Sequence, residues 1–223
     1  FRSNLAFTGT NSTLQPINSF AVDVSGYYQS YEENYGNFNG RYRIGFNIAN
    51  IGPKVSYVPG EEDFIPTNLK LGGGFDFILD QDNIIGVSTE FNKLLVPTPQ
   101  DQNGDGVINS EDNDIYQNES GFGGIFSSFG DAPGGFSEEL QEMTWALGAE
   151  YVYQDSFMIR TGYFNESEVK GSRKFFTLGA GFKFKSTQID LSYLFSTSQV
   201  RNPLENTLRF GLTFNLGEEF FND

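Results

Sequence analysis

From Leu208 to Leu216 apolar and polar residues alternate without a slip. Leu208, Phe210, Leu212, Phe214 and Leu216 share one side; Arg209, Gly211, Thr213 and Asn215 share the other. A period of two is the signature of a β-strand with two unlike faces. One such strand decides nothing, because a half-buried soluble sheet shows the same pattern. The constraint comes from its return along the chain. It recurs around Leu5–Phe7, then over Phe20–Gln29, Arg41–Asn50, Leu69–Leu79, Ile84–Leu94, Met143–Tyr153, Phe157–Tyr163, Phe176–Lys185 and Ile189–Phe195, and closes with Glu205–Leu216. These are roughly ten strands, most near the ~9–11 residues that a tilted strand needs to cross a bilayer.

The chain has 223 residues, of which 38% are hydrophobic and 16% aromatic, including 24 Phe and 11 Tyr. Mean hydropathy is only -0.37. In a membrane barrel half of each strand is polar, so apolar character never accumulates in one run. No apolar run approaches the ~20 residues of a spanning helix, which leaves a barrel open. There are no cysteines and no histidines, against a disulfide framework, His-based acid–base catalysis and His-containing zinc sites. A barrel phospholipase, which sets a histidine beside its serine, is excluded on the same ground. The net charge of -15 argues against nucleic acid as a partner. The chain opens on FRSNLAFTG, already alternating and with no signal peptide, as a mature protein or a piece lacking its beginning would.

Connections alternate in length. Those at 80–83, 155–156 and 186–187 are short; those at 50–67, 95–141 and 167–173 are long. Outer-membrane barrels put short turns at the periplasm and long loops outside. This sets the C-terminus in the periplasm, with 32–39 somewhat long for its side. Tyr28, Tyr42, Phe77, Tyr151, Tyr153, Phe157, Phe182, Phe184 and Phe214 then fall at the periplasmic strand ends on the apolar face, as an interfacial girdle requires. A soluble β-sandwich with an aromatic core is the competing reading. The opposite faces carry Arg41, Arg43, Lys70, Asp76, Glu90, Glu150, Arg160, Lys183, Lys185, Asp190 and Arg209. Lys and Arg facing lipid cost ~2–4 kcal/mol at the midplane, so these must face a lumen, where opposite signs can pair. They form either a structural network or a transport path.

Two stretches of the longest connection stand out. Asp101, Asn103, Asp105, Val107 (through its carbonyl), Asn109 and Asp112 occupy positions 1, 3, 5, 7, 9 and 12 of a calcium-loop pattern, with Gly106 at the sharp turn. Asp at the last position is closer to a dockerin-type loop than to a regulatory EF-hand. An Asx-turn loop without an ion fits the same residues. Beyond it, Ile125, Phe126, Phe129, Pro133 and Phe136 are apolar residues amid glycines, and Ser137-Glu-Glu-Leu suits a helix cap. Phe126, Phe129, Pro133 and Phe136 are the candidate partner-binding residues; they either tuck into the barrel mouth or dock a partner.

The segments NIGPKVSY at 50–57, FIPTNLKLG at 64–72, FNKLLVPTP at 91–99, IFSSFGDAPGGFSEEL at 125–140, GAEYVY at 148–153 and NPLENTLRFGLTFNL at 202–216 resemble the PorV (LptO) family. These are outer-membrane barrels of the Bacteroidota type IX secretion system, related to FadL-type transporters of hydrophobic compounds. The resemblance implies an all-β, antiparallel transmembrane outer-membrane β-barrel. The chain would supply the C-terminal ~10 strands of a roughly fourteen-stranded FadL-like barrel, without the N-terminal strands or a hatch. Residues 1–217 would form the barrel portion, with 95–141 extracellular and 218–223 a short periplasmic tail. The calcium-like segment is not a general feature of the family. The implied role is non-enzymatic: binding the C-terminal signal domain of secreted cargo, receiving it from the SprA/Sov-type translocon and passing it to a PorU-type attachment protein, in outer-membrane lipid. The alternatives are a FadL-like channel for hydrophobic small molecules and a purely structural barrel.

Overall fold

A computed structural model describes residues 19–58, 61–108, 112, 116, 118–198 and 205–215. The strands are β1 (Val22–Gln29), β2 (Glu33–Asn34), β3 (Asn39–Ile51), β4 (Val55–Val58), β5 (Glu61–Asp63), β6 (Asn68–Ile78), β7 (Asn83–Leu94), β8 (Thr144–Tyr153), β9 (Phe157–Asn165), β10 (Lys174–Phe184), β11 (Thr187–Ser196) and β12 (Leu208–Phe214). Two helices, α1 (Gly121–Ser127) and α2 (Phe136–Glu142), lie between β7 and β8. The main sheet is a meander in the order β1-β3-β6-β7-β8-β9-β10-β11-β12, with β2 on β3, and β2 with β3 and the successive pairs from β7 to β12 run antiparallel. The fold is the all-β antiparallel class that the alternation requires. Among the described residues no helix is long and apolar enough to cross a membrane. The expected strand around Leu5–Phe7 lies outside the described residues.

Register sorts the two faces. Because side chains alternate, in-register pairing carries one parity across the whole sheet. One row runs Ile85–Tyr151–Ile159–Ala180–Leu191–Phe210 across six strands. The neighbouring row runs Gly86–Glu150–Arg160–Gly179–Ser192–Arg209. On the apolar face the large residues are exposed: Phe210 is 66% accessible. Buried apolar side chains among the described residues are only Val55, Leu95, Ala132, Met158 and Leu194. A soluble sandwich buries that face in a core between sheets; here it is left for another apolar medium.

On the polar face the charges pair. Asp76, 5% accessible, accepts from Arg41 Nη2 at 2.9 Å and Arg43 Nη2 at 2.6 Å. Arg160 donates to Glu150, its direct cross-strand neighbour, and to Asp190. Lys70 and Glu90 lie 3.9 Å apart. Glycines make room for the guanidinium groups: a Cβ on Gly74 would sit 3.3 Å from Arg43 Nη2, and one on Gly181 3.2 Å from Arg160 Nη1.

Connections alternate short and long along the meander. Gln154 and Asp155 both have φ of 50°, so the β8–β9 turn is centred one residue before the expected 155–156. The connection at 32–39 is shorter than it reads, because Glu33 and Asn34 pair with Gly40 and Asn39 and leave Tyr35–Phe38 as the apex. The 50–67 connection holds the β4–β5 hairpin, which the alternation did not single out. Between β9 and β10, Arg173 clamps Glu166 through Nε at 2.8 Å and Nη2 at 2.6 Å, and these bonds hold the Glu166 carboxyl below its ordinary range. Contacts divide the chain into two compact units, Phe1–Val24 with Asn47–Leu69 and Leu94–Leu140, and Ser25–Phe46 with Lys70–Lys93 and Gln141–Asp223.

Candidate functional site

The longest connection, from β7 to β8, is tied down at its start. Leu95 N–H donates to Thr67 O at 2.7 Å, and Thr98 N–H donates to Asp131 Oδ2 at 2.7 Å. Leu95 is 2% accessible and forms the small core of this unit with Val55 and Ala132. Lys54 reaches the connection from the side: its Nζ donates to Tyr116 O at 2.6 Å and lies 4.3 Å from the Phe64 ring centre. Burial there pushes the ammonium below its ordinary pKa.

Helix α1 forms from a glycine-rich stretch, GFGGIFS, of poor intrinsic propensity. Two features offset that. Ser120 caps it, its side chain accepting from Gly123 N–H at 2.9 Å. Its small-residue side also packs too closely for any other residue: a Cβ on Gly124 would meet the Phe64 ring at 2.4 Å and Pro97 Cγ at 2.9 Å. At 100° per residue, Gly121, Gly124 and Ser128 fall together, and Phe122, Phe126 and Phe129 fall together about a third of a turn away. Gly124 and Ser128 are buried, whereas Phe122, Phe126 and Phe129 are exposed.

Past α1 the chain turns back on its own side chains. Ala132 N–H donates to Glu139 Oε1 at 3.0 Å, and Gly134 N–H to Glu138 Oε2 at 2.8 Å. Gly135, at φ 70°, leads into α2, which starts at Phe136, so Ser137 sits within the helix instead of capping it. All four residues expected to bind a partner are exposed: Phe126 at 78% and Phe136 at 77%, with Phe129 and Pro133. Phe122 and Leu140 extend the set and escaped the sequence reading. Their signal is the i, i+4 spacing to Phe126 and Phe136, visible once both stretches are known to be helical.

The described side chains of the calcium-like loop bond to its own backbone and to one another. Asp101 accepts from Gly104 N–H at 2.7 Å and Gly106 N–H at 2.8 Å; Asp105 Oδ1 accepts from Val107 N–H at 2.7 Å. Asn103 Nδ2 donates to Asp105 Oδ2 at 3.1 Å. Asp112 Oδ1 accepts from Gln102 N–H at 3.0 Å and so ties the two ends of the loop. Gly104 and Gly106, at φ 74° and 84°, allow the bend. Asn109 lies outside the described residues.

In the other unit, the polar face of the sheet frames a groove of about 580 Å³. Arg43, Glu90, Glu150 and Arg160 line it with glycines. Each of these four charges has an opposite partner, which fits a structural network better than an apolar channel.

A family model described as Type IX secretion system protein PorV matches residues 1–101. The match takes in β1 to β7 and ends where the calcium-like loop begins. No curated protein matches the chain. PorV is a secretion-system component. Residues 1–101 are thus similar to the PorV family, the outer-membrane component of type IX secretion that the chain's motifs resemble.

Proposed function

We propose that the protein is a cargo receptor of type IX secretion. It binds the C-terminal signal domain of secreted cargo, takes it from the SprA/Sov-type translocon and passes it to the PorU-type attachment protein. The long connections face the cell exterior and the C-terminus faces the periplasm. One observation carries this reading: α1 is pinned by its glycine side, so Phe122, Phe126 and Phe129 stand outward, with Phe136 exposed on α2. Aromatic side chains held out in this way are what binding hot spots are made of. The calcium-like loop, in this reading, takes up calcium and stiffens the connection that carries the phenylalanines.

The test replaces Phe126, Phe129, Pro133 and Phe136 together with Ser in the full-length protein and measures binding to an isolated cargo C-terminal signal domain. Truncating hot spots costs about 2 kcal/mol or more each, so affinity is expected to fall at least ~100-fold. Unchanged affinity in a correctly assembled barrel removes the docking role.

A further inference from the structure

We infer that Asn103 is a site of chemical modification: its side chain closes onto the backbone nitrogen of Gly104 and loses ammonia, and water then opens the ring to aspartate or isoaspartate. The chain has two Asn-Gly steps, Asn39-Gly40 and Asn103-Gly104, and the structure sets them apart. The reaction needs a following residue without a Cβ, room for a succinimide ring and a backbone free to turn. All of these are present at 103. Asn103 and Gly104 are both exposed. Gly104 has φ of 74°, and nothing lies within 4 Å of where its Cβ would be.

The loop's own bonds prepare the reacting atoms. Gly104 N–H donates to Asp101 Oδ1 at 2.7 Å, which draws the proton away from the attacking nitrogen. Asn103 Oδ1 accepts from Asp105 N–H at 2.9 Å, so a donor already faces the oxygen on which negative charge develops. In the first step a bond forms between Gly104 N and Asn103 Cγ, and the Cγ–Nδ2 bond breaks. The proton of Gly104 N ends on the leaving amine, which departs as ammonia and gives up its 3.1 Å bond to Asp105 Oδ2. Water then adds to one of the ring carbonyls. Addition at Cγ gives aspartate; addition at the main-chain carbonyl carbon gives isoaspartate, with the backbone running through Cγ. Aspartate sets a further carboxylate between Asp101 and Asp105. Isoaspartate adds a methylene to the backbone and shifts the Gly106 and Val107 N–H groups relative to the carboxylates that now accept them.

Asn39 has the same successor and none of this freedom. Asn39 and Gly40 pair with Asn34 and Glu33 between β3 and β2. The Asn39 carboxamide is held at both ends: Oδ1 accepts from Asn34 Nδ2 at 2.9 Å, and Nδ2 donates to Glu32 Oε1 at 2.7 Å. Gly40 is buried, and a Cβ there would meet the Phe75 ring at 2.4 Å and the Tyr35 ring at 2.7 Å.

The experiment holds the full-length protein in lipid nanodiscs with chelator at mildly alkaline pH, digests samples over days and weighs the peptides. The peptide carrying Asn103 is expected to gain the mass of an amide-to-acid exchange, placed at 103 by fragmentation and accompanied by isoaspartate. Its rate should exceed that of the Asn39 peptide by about tenfold or more, because Asn39 must first open its strand pairing. Asn103→Gln, whose longer side chain closes a ring poorly, should abolish the gain in that peptide. No gain at Asn103, equal rates at the two steps, or a gain that persists in Asn103→Gln overturns the site.

Discussion

Gly124 is the residue on which the exposed aromatic face turns. Ala in place of a helical Gly ordinarily stabilises by about 0.5–1 kcal/mol. Here the added methyl would meet the Phe64 ring at 2.4 Å and Pro97 at 2.9 Å; Pro97 is buried, and the Phe64 ring packs edge-on against Tyr116. Overpacking costs of about 1–3 kcal/mol outweigh the helix gain. Gly124→Ala is therefore expected to loosen α1 and speed protease cleavage within 119–140, while Gly130→Ala, whose Cβ meets nothing within 4 Å, leaves cleavage unchanged. Equal cleavage in the two variants would show that α1 is not seated by this contact. Parity alone told which charges share a face, because it needs no partner strand. It did not tell that Asp76 joins Arg41 to Arg43, since that pairing depends on how β3 and β6 lie beside each other.

Among the elements, long alternating strands were legible and short elements on the long connections were not. The β4–β5 hairpin has strands of only four and three residues, set among Pro and Gly. Helix α1 is written in residues that disfavour a helix and is held by a cap and by tertiary contact, neither of which appears in local propensity. The apolar candidates were legible as residue types amid glycine, but their common direction was not. The calcium-like loop supplies the element-scale test. Its carboxylates already accept the loop's own N–H groups, which orders the bend and leaves further lone pairs for an ion. Calcium is expected to protect 101–112 from proteolysis in the unaltered protein. Asp101→Asn with Asp105→Asn should weaken calcium binding about tenfold or more, because affinity in such loops follows ligand charge. Cleavage that is the same with calcium and with chelator would leave an Asx-turn loop with no ion.

At the scale of the whole molecule, two faces of one sheet carry opposite chemistry. The apolar rows stay exposed where a water-soluble protein would cover them, and on the other face Arg41, Arg43 and Arg160 pair with Asp76, Glu150 and Asp190. Lipid against the first face accounts for the exposed apolar rows. The chain has no cysteine, so a single introduced thiol can be spin-labelled cleanly. The most direct measurement labels Phe210→Cys, Gly211→Cys, Leu212→Cys and Thr213→Cys one at a time in vesicle-reconstituted protein. Collision with oxygen is compared with collision with a water-soluble nickel chelate. Oxygen should dominate at 210 and 212, and the chelate should gain at 211 and 213. Labels at 210 and 212 that are sheltered from oxygen, or as open to the chelate as their neighbours, would contradict a lipid-facing wall.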